Sequence, residues 1–260
     1  EVPPSLSWDE ASVGYDAFAI SYDGKDQWGD LYPLAFKSFE EYKYPFHIYI
    51  TSLFVTLFGL SETSVRLPSA LFGAINVFLL FFLVKFIIQN KYIAILSSLF
   101  LSISPWFIHF SRVNWEINFT LFFFFLGLIL FGYSLNYKKT ILLVPSFIFF
   151  GLDLYTYNAA KIFIPLFVLI LVLTYRKQFN KIKFYLLSSV VIFLTILSIN
   201  FLNPHLSGLV RFQQVSFEDS VARNTIFYKI SKNHYLGRLE IVIKQYLSHF
   251  SPQFLFISGD

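Results

Sequence analysis

The feature that most constrains this chain is length without charge. Several windows of 18 or more residues, INFTLFFFFLGLILFGYSLN (117–136) among them, carry no acid or base. About 20 apolar residues in a helix cross a hydrocarbon core about 30 Å thick. Several such windows predict an all-α polytopic membrane protein. Composition agrees: 56% of residues are hydrophobic and 14% charged, against about 25% charged in an ordinary soluble domain. Cys is absent, which excludes disulfides and thiolate metal sites. Met is absent too, and Glu1-Val2-Pro3-Pro4 lacks the basic and apolar regions of a signal peptide. The sequence reading therefore expects a chain cut just after a membrane helix.

Residues 1–45 are polar and acidic and read as a loop outside the membrane with juxtamembrane helices. Ser7-Trp8-Asp9-Glu10 fits a capping box at a helix start. Trp8, Val13 and Phe18 are available for the buried side of that helix. Turns are expected at Asp23-Gly24-Lys25-Asp26 and Trp28-Gly29-Asp30. Residues 46–60 follow as a short interfacial or re-entrant helix, because PFHIYITSLFVTLF is too short to span. Residues 61–202 hold a bundle of about six helices, expected at 66–88, 92–110, 116–135, 140–154, 160–175 and 184–202. Residues 203–260 turn polar again and begin an aqueous segment with amphipathic helices.

Charge orients the bundle. One set of connections holds Lys85, Lys91, Lys138, Lys139, Arg176, Lys177, Lys181 and Lys183, with no acid among them. By the positive-inside rule these loops are cytoplasmic. Residues 1–45 and 203–260, and with them all the acids, are then expected outside, in a multi-pass protein of the plasma membrane. Nothing in the modest charge of +4 points to a nucleic-acid partner.

Four outer segments bring polar groups to one face: Asp9-Glu10; Glu40-Glu41-Tyr42-Lys43; Arg112-Val113-Asn114-Trp115-Glu116; and Asp153 to Lys161, with Tyr157 between them. Cations beside aromatics at an interface suit a phosphate-bearing lipid. A carboxylate there suits proton removal from an acceptor hydroxyl.

SWDEASVGYDA, the block from Lys43 through RLPSALFG, SPWFIHFSRVNWE and LYTYNAAKIFIPL together resemble the GT-C glycosyltransferases. Within them the chain is similar to the dolichyl-phosphate-mannose–protein mannosyltransferases and the related aminoarabinose transferases of lipid A. The resemblance implies a GT-C-type helical bundle with its active site on an extracytoplasmic loop. It implies inverting transfer of a sugar from a polyprenyl-phosphate donor to a protein, lipid or glycan acceptor. By the resemblance Asp9 takes the role of base and Lys43 that of donor-phosphate ligand; read from the residues, Glu10 supports Asp9 and Arg112 is the second cation of that face for the phosphate. Glu116, Asn114, Tyr157 and Lys161 are expected to line the site. The family often carries Lys-Pro-Pro where this chain has Lys43-Tyr44-Pro45. Some relatives bind a divalent metal and others need none, so the resemblance leaves a metal open.

Plainer roles stand beside these. Glu10 closes a cap; Lys43 snorkels at an interface; Arg112 and Glu116, four apart, form a helix-end ion pair. Lys161 and Asp153 are interfacial. The five His lack short ligand spacing and read as structural. A lipid or polysaccharide transporter is the alternative function. Transporters of charged cargo usually keep ionisable groups near the bilayer centre, whereas these gather at one face.

Overall fold

A computed structural model describes residues 5–39, 41–175, 183–206 and 219–254. Glu40, Arg176, Lys177, Lys181, Arg211, Glu218 and Asp260 lie outside them, as do the side chains of Lys183 and Asp219. The chain divides into two units, 1–208 and 209–260.

The first unit opens with α1 (Trp8–Asp23), which ends at Gly24 with φ +77°. A left-handed residue there suits glycine, which has no Cβ penalty. Strands β1 (Phe36–Ser38) and β2 (Glu41–Lys43) form an antiparallel hairpin that sets Phe36 opposite Lys43. Then come α2 (Pro45–Phe58), α3 (Glu62–Ile88), α4 (Lys91–Ile103), α5 (Pro105–Arg112) and α6 (Ile117–Asn136). The unit continues with α7 (Leu143–Asp153), α8 (Ala160–Tyr175) and α9 (Lys183–Leu202). The fold is all-α and polytopic, with the hairpin as a small addition.

Among the described residues, α3, α6 and Phe184–Leu202 of α9 are each long and apolar enough to cross a membrane. The sequence reading expected one continuous span over 92–110. Instead α4 and α5 meet at a bend of 59°. Pro105 is the cause: the residue before a proline is pushed out of the helical region, and Ser104 is extended, with φ −64° and ψ 122°. The pair makes a fourth span if it crosses as one broken helix. The apolar helices Pro45–Phe58, Thr140–Asp153 and Ala160–Tyr175 are shorter.

Two apolar cores hold this unit. Phe147, Phe150, Leu143, Phe131, Ile164 and Phe193 join α6 to α9. Val13, Ala17, Ile20, Phe36, Ile48 and Val55 clamp α1 and the hairpin onto α2. On α1 the inward face is Glu10, Val13, Gly14, Ala17 and Ile20, while Trp8 is 74% and Phe18 43% exposed. Val13 alone of the three expected apolar contacts is therefore buried; Trp8 packs on Phe39 of the hairpin turn instead.

Helices in lipid gain little from apolar contact alone, so small and polar residues join them. Asn118 Nδ2 on α6 donates to Ser69 Oγ at 3.0 Å and to the Phe110 carbonyl at 3.0 Å. Asn76 Nδ2 on α3 donates to the Asn118 carbonyl at 2.7 Å. A Cβ on Gly73 of α3 would lie 2.3 Å from Ser111 Oγ, so α5 seats directly on that glycine.

The second unit holds α10 (Asp219–Arg223), α11 (Ile226–Ser231) and α12 (His234–Ser248). Gly237 and Glu240 are the buried residues of α12. Glu240 Oε2 accepts from the Phe227 N–H at 2.6 Å and so fixes the start of α11.

Candidate active site

Asp9 and Glu10 occupy the first turn of α1, where acids are favoured by the helix dipole. The expected capping box is present: the Ser7 N–H donates to Glu10 Oε2 at 3.1 Å, and the Glu10 N–H to Ser7 Oγ at 3.3 Å. Consecutive helical residues diverge by about 100°, and the two carboxylates take different partners. Asp9, one-third exposed, accepts a hydrogen bond and ion pair from Lys43. Glu10 is buried and meets Arg66 of α3 through two hydrogen bonds, Nε to Oε1 at 2.7 Å and Nη2 to Oε2 at 2.8 Å. Its Oε1 also accepts the Asn114 N–H at 3.2 Å. Burial pushes the Glu10 pKa up, but the bonds from Arg66, Ser7 and Asn114 and the Arg66 charge outweigh it and hold Glu10 below the usual range.

Lys43 is placed by its neighbours in the chain. Phe36, fully buried, anchors the hairpin, and pairing sets Lys43 across from it. Ser12 and Ser38 hydroxyls bond at 2.7 Å and tie α1 to the hairpin. Tyr44 is extended before Pro45, which opens α2 at a position where its missing N–H costs nothing.

Asp9, Glu41, Lys43, His47, Asn114, Trp115, Glu116 and Tyr157 share the wall of one cavity of about 290 Å³ with Val13, Phe110 and Ile117. Desolvation in this cavity pushes the Glu116 carboxyl up, opposed by its own backbone N–H and by the charge of Lys43. Glu116 Oε1 is 3.9 Å from His47 Nε2. Asn114 Nδ2 donates to Thr51 Oγ1 at 2.9 Å and to the Val65 carbonyl at 2.8 Å. Two buried polar atoms of this lining, His47 Nδ1 and Asn114 Oδ1, have no hydrogen-bond partner among the described residues. Buried polar groups are ordinarily satisfied, so these two are exceptions within the cavity wall. The described residues contain no group of three or more His, Asp or Glu arranged to hold a metal ion.

Other expected site residues lie elsewhere. Arg112 lines a neighbouring cavity of about 590 Å³ with Glu10, Arg66, His109 and Trp115. Trp115 is common to both walls. Lys161 is buried behind Tyr44: its Nζ donates to Tyr44 Oη at 2.6 Å and stands 4.3 Å over the Tyr44 ring. Tyr44 in turn donates to Asn158 Oδ1. Asp153 is buried against Thr156, whose hydroxyl donates to it at 2.9 Å. A third, almost wholly apolar groove of about 380 Å³ begins just beyond Lys43, between α2 (Pro45, Phe46, Tyr49, Ile50) and Tyr155, Ile196 and Ile199.

Residues 43–201, more than half of the chain, match the dolichyl-phosphate-mannose-protein mannosyltransferase family. The chain belongs to this family. No curated protein and no solved structure matches it. Membership makes the protein a mannosyltransferase-like membrane glycosyltransferase of the GT-C type, a class that works on lipid-linked sugars. The match begins at Lys43 and takes in Arg66, Asn114, Glu116 and Lys161; Asp9 and Glu10 precede it.

Two residues beside these cavities carry no site role in the sequence reading. Arg66 stands within RLPS, where the sequence alone assigns it no role. A lone Arg in the first turns of a 27-residue apolar helix is costly unless paired, which was the available signal. His47 was set among the structural histidines, yet it lines the cavity of Asp9 and Lys43. Spacing along the chain carries no trace of that placement.

Proposed function

We propose that this protein transfers a sugar from a polyprenyl-phosphate donor to a protein, lipid or glycan acceptor on the extracytoplasmic face, inverting the anomeric centre. The observation that carries this reading is one cavity in which a carboxylate, Asp9, is already joined to a buried cation, Lys43.

The donor phosphate takes Lys43 as its counter-ion and in doing so separates Lys43 from Asp9. Asp9 is then free to remove the proton from the acceptor hydroxyl. The acceptor oxygen bonds to the anomeric carbon as the bond from that carbon to the phosphate oxygen breaks. Polyprenyl phosphate leaves as an anion and needs a cation rather than an acid, so the two-carboxylate arrangement of glycoside hydrolysis is not required. Stabilising such developing charge is usually a large catalytic term.

The polar residues around Asp9 and Lys43, among them Glu41, Asn114, Glu116 and Tyr157, suit sugar hydroxyls. The apolar groove beyond Lys43 suits the isoprenoid chain. Arg112, in the neighbouring cavity, serves the phosphate only from across Trp115, and Lys161 stands in reserve behind Tyr44. Glu10 supports Asp9 by fixing the first turn of α1.

The test is turnover by the full-length protein with a panel of polyprenyl-phosphate sugars and acceptors in proteoliposomes. Release of polyprenyl phosphate with formation of an inverted glycoside is expected. Movement of an intact lipid-linked sugar across the bilayer without cleavage would replace this reading with the transporter.

A further inference from the structure

The second unit carries a surface that sugar transfer does not use. On α12, Tyr235, Leu239, Val242, Ile243, Tyr246 and Phe250, the last just past its end, are all exposed, from 43% for Ile243 to 78% for Tyr235. At about 100° per residue these positions fall within an arc of about 100° on one side of the helix. The inner face is different: Gly237 approaches the Ala222 carbonyl, and Glu240 is taken up by the Phe227 N–H. The stripe is therefore not the side that packs within the unit. Large exposed apolar patches with polar rims mark docking surfaces.

The rim identifies the occupant. Lys229, Lys232 and Arg238 are exposed on α11, the turn and α12, while Lys244 is paired with Glu240, the one acid of this stretch, Nζ to Oε1 at 2.6 Å. Arg238 lies at the edge of the stripe, about 90° from its centre, whereas Lys244 lies about 150° away, on the side of Gly237 and Glu240. Long basic side chains at the edge of a stripe reach lipid headgroups while an apolar face enters the acyl boundary. The apolar span Phe184–Leu202 precedes the unit in the chain, so a bilayer is covalently near. Sixteen residues separate Leu202 from Asp219, a tether of at most about 60 Å fully extended.

We infer that α12, with the exposed Ile226 and Ile230 of α11, lies in the headgroup region of an anionic bilayer. Its stripe is turned into the lipid, and Lys229, Lys232 and Arg238 contact lipid phosphates. The surface anchors the second unit whatever reaction the first unit performs.

The absence of Cys allows a direct test in the full chain. Bimane is attached to L239C, Y246C or Q245C, all exposed positions on the same helix, in phosphatidylcholine nanodiscs with and without phosphatidylglycerol. A nitroxide-bearing lipid should quench the labels at 239 and 246 several-fold more than iodide does. The label at 245, off the stripe, should show the reverse and reports that the helix keeps its two faces. Leaving out phosphatidylglycerol should weaken lipid quenching at 239. Iodide quenching at 239 and 246 equal to that at 245 overturns the inference. Shielding of 239 and 246 from both quenchers overturns it as well, because protein rather than lipid would then cover the stripe. Lipid quenching indifferent to phosphatidylglycerol overturns the role given to the basic rim.

Discussion

Glu10 and Arg66 stand 56 positions apart in sequence and meet as a bidentate pair, at 2.7 and 2.8 Å, with Glu10 1% exposed. Removing one partner of a buried pair leaves an uncompensated charge and typically costs about 3–5 kcal/mol. Arg66→Met should therefore lower the thermal midpoint of the protein in detergent by a clear margin. Glu10→Gln in the same chain should restore part of the loss. An unshifted midpoint in Arg66→Met would show that the pair does not hold α1 to α3.

Asp9, the adjacent carboxylate, is one-third exposed and paired with Lys43. Asp9→Asn keeps the shape and removes the basicity. A positioned base contributes about 10²–10⁴-fold, so turnover by full-length enzyme should fall on that order while donor binding persists. Full activity in Asp9→Asn would sink the mechanism.

Lys43→Gln removes the cation assigned to the donor phosphate. Hydrogen bonds to charged groups contribute about 1.5–3 kcal/mol, so donor affinity or turnover should fall about tenfold or more. If neither changes, the phosphate is held elsewhere, and Lys161 becomes the next residue to vary.

Asp16 gives a pH dependence. Burial, and then the charge of Asp26, push it up to about 6 from an ordinary 3.8, against bonds from Gln27 and the charge of Lys43. A carboxyl raised on folding stabilises the fold fully below its unfolded pKa. That contribution is lost as pH rises through the folded pKa, here between 3.8 and about 6. Glu10 is depressed instead, and its contribution fades as pH falls through and below its ordinary 4.5. The thermal midpoint of Asp16→Asn should rise relative to the parent as pH goes from 4 to 7. A constant difference across that range would contradict the assignment.

Orientation is tested by labelling. A single Cys at position 138, beside Lys139, should stay inaccessible to an impermeant thiol reagent in right-side-out vesicles. Labelling from outside would reverse the topology and put the cavity of Asp9 on the cytoplasmic face.

The long spans were legible because a bilayer demands uninterrupted apolar length, which composition alone displays: α3, α6 and α9 lie where 66–88, 116–135 and 184–202 were expected, whereas the helices at 140–153 and 160–175 fall short of span length. The capping box of Ser7 and Glu10 was legible because its partners lie three residues apart. The break at Ser104 was also written in the chain, as Pro105, but was outweighed by the run of apolar residues around it. Long-range partners were not legible. Lys43 reaches Asp9 across 34 positions, and Asn114 reaches Thr51 across 63. No local pattern distinguishes an Arg112 that faces Glu10 and Arg66 from one that shares the cavity of Lys43.

Gly73 sets a tolerance rather than a contact. Ser111, whose hydroxyl already donates to the Phe107 carbonyl at 2.7 Å, has no room to yield to a methyl group that would lie 2.3 Å from its Oγ and 2.8 Å from its Cβ. An alanine at 73 would therefore act as a lever. The displaced body is α5, and the chain leaving its far end carries Asn114 and Glu116 into the cavity wall. A substitution within an apolar span would be read out in the spacing of polar groups around the cavity of Asp9 and Lys43.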